Sequence, residues 1–131
     1  MTTLLWCLVA ATTLPYAAHA AVVAAKARSG RYDNHDPRAQ SASLEGFGRR
    51  AWAAQANAWE ALAVFAPLAL IHHLVAGDTP IGSALGAVWL AARLGHLAAY
   101  LADVPIVRST AFTVAWGCAL GLIVTAATGI A

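Results

Sequence analysis

Charged residues are scarce in this sequence, and their placement is the first constraint on its fold. Of 131 residues, 11% are Asp, Glu, Lys or Arg and 60% are hydrophobic. Positions 1–25, 61–77 and 109–131 contain no charged residue, and positions 79–102 contain only Arg93. A helix of about 20 apolar residues is long enough to cross a bilayer. These stretches therefore predict a polytopic membrane protein and argue against the alternative, a soluble helical bundle.

Cysteine is also rare, and its two positions indicate no redox or disulfide chemistry. Cys7 and Cys118 lie in different apolar stretches, without CxxC spacing and without a nearby histidine. Both are predicted to be small buried side chains. A metal site built from Asp33, His35 and Asp36 is conceivable, but no further ligand cluster lies near, so an ordered turn is preferred.

The uncharged stretches predict a single domain with four membrane-spanning helices, at about 2–25, 50–76, 79–102 and 108–130. Backbone groups in lipid must pair within their own segment, which favours helices, and the alternating ten-residue segments of a membrane β-barrel are missing. Pro15 is expected to kink the first span. Ala18-His19-Ala20 resembles a signal-peptidase site, but no Lys or Arg precedes it and the apolar run continues, so an uncleaved span is preferred.

The basic residues predict the orientation of the chain. Six of the eight lie in or beside the loop at 26–49, whereas the second loop, near Asp78, has none and Arg108 borders the third. The positive-inside rule then places the first and third loops in the cytoplasm. His72 and His73, near the opposite end of the second span, point about 100° apart on a helix and cannot readily share a metal; they are expected at the membrane interface. The basic residues of the first loop are Lys26, Arg28, Arg31, Arg38, Arg49 and Arg50.

Two polar stripes interrupt the apolar helices. Arg50, Asn57 and Glu60 follow i, i+7, i+10 spacing, and a second set, at 93, 96 and 100, follows i, i+3, i+7, so each set shares one helix face. Such residues usually face a protein interior or a water-filled cavity. A structural Glu60–Arg93 ion pair is one interpretation. Three arginines exceed what one carboxylate needs, so a site for an anionic small molecule is preferred. The second stripe consists of Arg93, His96 and Tyr100.

These residues resemble the MAPEG family, the membrane-associated proteins in eicosanoid and glutathione metabolism. Arg50-Ala51, Gln55, Asn57, Glu60 and Phe65 are similar to its second-helix signature. The second stripe resembles the third-helix signature, whose middle position is Tyr or His. Residues 103–109 resemble the turn into the fourth helix, and residues 32–38 resemble a turn of bacterial members. The resemblance covers about residues 30–112.

The resemblance implies a homotrimer of four-helix bundles in a bacterial inner membrane, with glutathione bound between neighbouring subunits as co-substrate. It implies conjugation of glutathione to lipophilic electrophiles or reduction of hydroperoxides, the lipophilic substrate arriving from the bilayer. Arg108 falls on the position that stabilises the thiolate, with Ser109 and Tyr100 as hydrogen-bond donors. The glutathione-binding positions correspond to Arg50, Gln55, Asn57, Glu60, Arg93 and His96.

One departure from the family pattern leaves other functions open. Many members carry a second arginine where this chain has Ala53, so a non-catalytic binding or scaffold protein with the same fold is an alternative. A small four-helix transporter with Glu60 as a proton-coupled site is a further one, although clustered arginines disfavour cationic cargo. Aromatic and basic residues are not interleaved as in nucleic-acid-binding segments, so no nucleic-acid partner is expected.

Overall fold

The computed structural model describes residues 1–30 and 32–130; Arg31, one of the basic residues used to predict topology, lies outside this part. No strand occurs in the described residues. Four segments are long and apolar enough to cross a membrane: α1 with α2, then α4, α5 and α6. This confirms an all-α membrane protein built on a four-helix bundle. The helices are α1 Thr3–Ala11, α2 Leu14–Arg28, α3 Pro37–Ala42, α4 Gly46–Ala76, α5 Pro80–Ala102 and α6 Pro105–Thr128.

The first span is interrupted between α1 and α2, next to Pro15. Proline has no N–H with which to continue the helical hydrogen bonds. Thr12 and Thr13 occupy the interruption, and their hydroxyls donate to the carbonyl oxygens of Val9 and Ala10, each at 2.7 Å. The expected kink is therefore a two-residue break whose side chains bond within their own segment, as a lipid environment requires.

The segment between the first two spans is shorter and more ordered than the predicted loop at 26–49. α4 begins at Gly46, and α3 occupies part of the segment. Asp33 Oδ1 accepts the backbone N–H groups of His35, at 2.8 Å, and Asp36, at 3.3 Å. Asp36 in turn caps α3 by accepting the N–H of Ala39 at 3.0 Å. These bonds hold residues 33–36 in an ordered turn. Residues 1–30 and 32–130 contain no group of three or more His, Cys, Asp or Glu side chains placed to hold a metal ion.

The interior between the helices is apolar and closely packed. Phe65 on α4 stacks on Trp89 of α5, with ring centroids 3.8 Å apart and planes 10° apart. Gly86 lets α1 approach α5, because a Cβ at this position would lie 2.7 Å from Leu4 Cδ1. Both cysteines are buried with free thiols, as predicted. α5 packs mainly against α6, α2 packs against α4, and α4 also contacts α5 and α6. The polar stripes of α4 and α5 therefore lie near each other, and Arg93 bonds to Asn57.

His72 lies in the bundle interior near the end of α4, and this burial was not part of the expectation that it sits at the membrane interface. It is fully buried between α4, α5 and α6. Its Nδ1 lies 3.0 Å from the carbonyl oxygen of Leu122 and 3.2 Å from Thr125 Oγ1. Its Nε2 lies 3.0 Å from Thr79 Oγ1, which also accepts the N–H of Gly82. The arrangement fits an imidazole that donates from Nδ1 and accepts the Thr79 hydroxyl at Nε2.

Candidate functional site

A cavity of about 300 Å³ opens beside the α5–α6 turn, and we call it the polar cavity. His96 and Tyr100 are one turn apart on α5, and Arg108 and Ser109 begin the facing side of α6. His96 and Tyr100 share one face of α5 because they are four residues apart, whereas Arg108 and Ser109 are adjacent on α6 and both line the cavity. Five of the seven lining residues were predicted as site residues from the sequence. The lining consists of Asn57, His96, Tyr100, Arg108, Ser109, Phe112 and Thr113.

Arg108 is the cation of the polar cavity. Its guanidinium carbon lies 4.7 Å from the centroid of the Tyr100 ring, a cation–π arrangement. The ring of buried His96 lies 5.5 Å from that of Tyr100 and 6.2 Å from that of Phe112. Among the described residues, no carboxylate lies within 4 Å of Arg108. An incoming anion therefore meets a half-buried arginine that is not already in an ion pair.

A second, more enclosed cavity of about 190 Å³ lies beside the first, and we call it the inner cavity. Asn57 and Phe112 line both cavities. Most of the remaining lining is apolar, with Trp116 and Trp89 among its larger members, while Glu60 and Arg93 supply charge. The polar cavity thus adjoins a mostly apolar space between α4, α5 and α6. The inner cavity is lined by Asn57, Glu60, Ala61, Val64, Trp89, Arg93, Phe112, Ala115, Trp116 and Ala119.

Asn57 links the two charges of the inner cavity. Arg93 Nη2 donates to Asn57 Oδ1 at 2.7 Å and to its backbone oxygen at 3.3 Å. Asn57 Nδ2 donates to Glu60 Oε2 at 3.3 Å. In the described part of the chain, the direct Glu60–Arg93 ion pair does not form within 4 Å. Arg93 is 3% exposed and its Nε has no hydrogen-bond partner. A buried cation with an unpaired N–H is costly, and an anionic ligand would reduce that cost.

Arg50 lies outside both cavities. Its Nη1 is 3.2 Å from Asp103 Oδ2, an ion pair between α4 and the residue that ends α5. Sequence reasoning placed Arg50 in the site but missed Asp103, because a partner 53 positions away has no periodic relationship to α4. The structure thus gives Arg50 a carboxylate partner within its own chain.

Gln55 faces away from the polar and inner cavities. It lines a third cavity of about 480 Å³ between α2 and α4, where its Oε1 lies 3.3 Å from His19 Nδ1. Lys26, 3% exposed, lines the same cavity and donates from Nζ to the backbone oxygen of Pro37 at 2.7 Å. On a helix, Gln55 and Asn57 are about 200° apart. One chain therefore does not bring Gln55 together with the other predicted site residues.

Phe112 and Trp116 are lining residues that the sequence reasoning missed. Both lie on the face of α6 that carries Arg108, at i+4 and i+8 from it. That spacing was a usable signal, because an aromatic one turn along from a site arginine is placed to line the same space. In an apolar helix, however, such a side chain looks like any other lipid-facing residue.

A family model gives the decisive comparison. The model of the MAPEG family matches residues 3–128, nearly the whole chain. The chain belongs to the MAPEG family. Membership makes it a membrane protein related to glutathione and eicosanoid metabolism. The matched region of this MAPEG protein contains every residue that lines the polar and inner cavities. No curated protein matches the sequence.

Proposed function

We propose that this MAPEG protein is a glutathione-dependent membrane enzyme that conjugates glutathione to lipophilic electrophiles or reduces lipophilic hydroperoxides. The observation that carries the proposal is the position of Arg108. A half-buried arginine with no carboxylate within 4 Å among the described residues lines a polar cavity that shares Asn57 and Phe112 with a neighbouring, mostly apolar one. The first suits a charged thiol, and the second suits a lipophilic co-substrate.

The chemistry follows from the charge of Arg108. A free thiol has a pKa of about 8.5, and a nearby guanidinium lowers the pKa by favouring the thiolate. Ser109 and Tyr100, which line the same cavity, would donate hydrogen bonds to the sulfur. Attack of the thiolate on an electrophilic carbon forms a carbon–sulfur bond as the leaving group departs with its bonding electrons. Attack on a hydroperoxide breaks the oxygen–oxygen bond and gives an alcohol and the sulfenic acid of glutathione, which a second glutathione converts into glutathione disulfide and water.

The charged groups of the inner cavity would hold the ends of glutathione. Arg93 is buried, its Nε has no hydrogen-bond partner among the described residues, and its planar guanidinium suits a carboxylate. Glu60 lines the same cavity and would accept the ammonium group, while Asn57 holds both side chains in place. His96, one helical turn from Tyr100 in the polar cavity, would contact the middle of the glutathione tripeptide. These positions are the ones that the family resemblance assigns to glutathione.

The division of α4 into two polar faces supports a site shared between subunits of a homotrimer. Gln55 faces the α2–α4 cavity and cannot reach Asn57 within one chain. A neighbouring subunit, packed against the face of α4 that lies between these two, would bring its own Gln55 toward Asn57. A homotrimer would therefore explain why α4 carries the predicted binding residues Gln55 and Asn57 on opposite sides.

The membrane orientation completes the proposal. With the first and third loops in the cytoplasm of a bacterium, the polar cavity opens beside the α5–α6 turn on the side where glutathione is abundant. The lipophilic co-substrate would come from the inner membrane itself, through the apolar surface between the helices. Because glutathione and the lipophilic co-substrate would meet in neighbouring cavities, the lipophilic molecule would not have to enter water.

One set of measurements on the protein purified in detergent tests the proposal. The mass of the complex, binding of glutathione at millimolar concentration, conjugation of a lipophilic electrophile and reduction of a lipophilic hydroperoxide are measured together. A trimer with turnover is expected. A trimer that binds glutathione without turnover favours the scaffold alternative. That alternative was raised because this chain has Ala53 where many family members carry a second arginine. Absence of glutathione binding contradicts the proposal, and a dimer with proton-driven flux in vesicles favours a transporter.

A further inference from the structure

The ion pair between Arg50 and Asp103 has no part in the mechanism above, yet it lies next to the polar cavity. We propose that Asp103 is a positioning residue: by holding Arg50, it docks the α5–α6 turn on α4 and so sets Arg108 over Tyr100. The inference rests on the proposed function, in which Arg108 stabilises the glutathione thiolate. It also reassigns Arg50 from binding the ligand to holding the turn.

The backbone of Asp103 is the first observation. Its φ and ψ are 62° and 43°, the left-handed region, and it is the one non-glycine residue with positive φ in residues 1–30 and 32–130. Glycine or asparagine is the usual occupant of this position after a helix. An aspartate adopts this conformation at some cost in backbone strain, but unlike glycine or asparagine it carries a negatively charged carboxylate. That carboxylate lies 3.2 Å from Arg50 Nη1.

The turn is short enough to transmit its position to Arg108. Only Asp103 and Val104 separate α5 from α6. The Val104 N–H donates to the Ala99 oxygen at 2.9 Å, and the Arg108 N–H donates to the Val104 oxygen at 3.1 Å. Tyr100 precedes Asp103 by three residues, and Arg108 follows Asp103 by five. A shift of the turn therefore changes how the guanidinium lies over the Tyr100 ring.

Arg50 anchors the α5–α6 turn to α4, the helix that also carries Asn57 of the polar cavity. It lies on the same face of α4 as Asn57, two turns and about 10 Å away along the axis. Asn57 forms the α4 wall of the polar cavity, whereas Tyr100 and Arg108 form the opposite wall. The ion pair joins α4 to the α5–α6 turn, the two elements that carry these walls. Its loss would let them move apart without removing any residue that touches the ligand.

The state of Arg50 favours positioning over ligand binding. Its charge is neutralised by Asp103, its Nε is buried without a partner, and it lines neither cavity. The Asp103 side chain is 64% exposed, so solvent weakens the pair. We therefore expect its removal to lower kcat roughly fivefold rather than to abolish activity.

A double-mutant cycle tests the inference on the detergent-purified protein. Asp103→Asn keeps the tolerance for left-handed backbone and removes the charge, and Arg50→Gln removes the other partner. Asp78→Asn, an exposed acid in the α4–α5 turn at the far end of the bundle, is the matched control. Three quantities are measured: the pH titration of the bound glutathione thiolate, kcat and KM for glutathione, and amide hydrogen exchange of residues 103–109.

Positioning predicts that both single variants and the double variant behave alike. In each, the apparent pKa of the bound thiol rises, kcat falls, KM for glutathione is unchanged, and exchange in residues 103–109 becomes faster. If Asp103→Asn instead lowers KM while Arg50→Gln raises it, Arg50 binds the ligand and the inference is wrong. If the unmutated protein forms no thiolate, the proposed function fails. Unchanged exchange in both variants overturns the docking of the turn independently.

Discussion

Arg108 acts in the proposed site through its charge, so removing the charge separates the chemistry from the fold. We expect Arg108→Ala to return the pKa of the bound thiol to about 8.5, leaving a few per cent thiolate at pH 7. At that pH kcat should fall about a hundredfold. The deficit should shrink as pH rises through 8.5, because the thiol then ionises without help. Difference absorbance of the thiolate band and a pH profile of kcat measure both effects.

Two companion variants make the Arg108 result specific. Arg108→Lys keeps a positive charge and should retain part of the thiolate band. Thr110→Ala alters an exposed residue on the opposite face of α6, where it lines an apolar groove between α5 and α6, and should leave the band unchanged. A full thiolate band in Arg108→Ala would contradict the assignment of Arg108.

Arg93 is expected to affect binding rather than ionisation of the thiol. Its guanidinium lies in the inner cavity and is held by Asn57. Loss of a charge-assisted contact to a carboxylate should weaken glutathione binding roughly 10- to 100-fold in Arg93→Ala. Calorimetry measures the change, with Leu94→Ala, on the exposed side of α5, as the control. Unaltered affinity would mean that Arg93 is purely structural.

The contrast between predicted and missed residues has a physical reason. Helical periodicity is local, so the sequence predicted that Arg93, His96 and Tyr100 share a face, and they do border two neighbouring cavities. Packing between helices is not local. The partner of Arg50 therefore could not be read from the sequence, and neither could the burial of His72, which depends on α6.

The end of the bundle far from the α5–α6 turn is held by the hydrogen bonds of His72, which join α4, α5 and α6. We expect His72→Ala to destabilise the fold by roughly 2–4 kcal/mol, because it leaves a void and removes the partners of buried polar groups. Unfolding of the purified protein in a denaturing detergent series measures the change. kcat of the folded fraction should be little altered, since His72 lines neither cavity.

Neighbouring variants show whether the His72 effect comes from its hydrogen bonds. Thr79→Val removes the group next to Nε2 and should destabilise in the same direction but less, because the ring remains in place. His73→Ala changes the adjacent residue, which contributes to none of these bonds. A His72→Ala protein as stable as the unmutated one would show that apolar packing alone holds this end.

A site shared between subunits makes a prediction that no single chain can reveal. If Gln55 serves the site of a neighbour, chains carrying Gln55→Glu and chains carrying Arg108→Ala should each be impaired alone, the first because a carboxylate faces an anionic ligand. When the two are co-expressed, every mixed cyclic trimer contains one interface with an intact Arg108 and an intact Gln55. Random mixing of equal amounts should therefore restore about one site in four.

The control for this mixing experiment uses two residues of the same chain's cavities. Arg93 and Arg108 lie on walls formed within one subunit, so Arg93→Ala and Arg108→Ala chains should not complement each other in any arrangement. Complementation in the first pairing and not in the second requires both a cyclic assembly and a site divided along α4. Failure in the first pairing, with mixed trimers demonstrated by two affinity tags, would place the complete site in one chain. In that case Gln55 serves only the α2–α4 cavity, and the opposite polar faces of α4 belong to two separate functions.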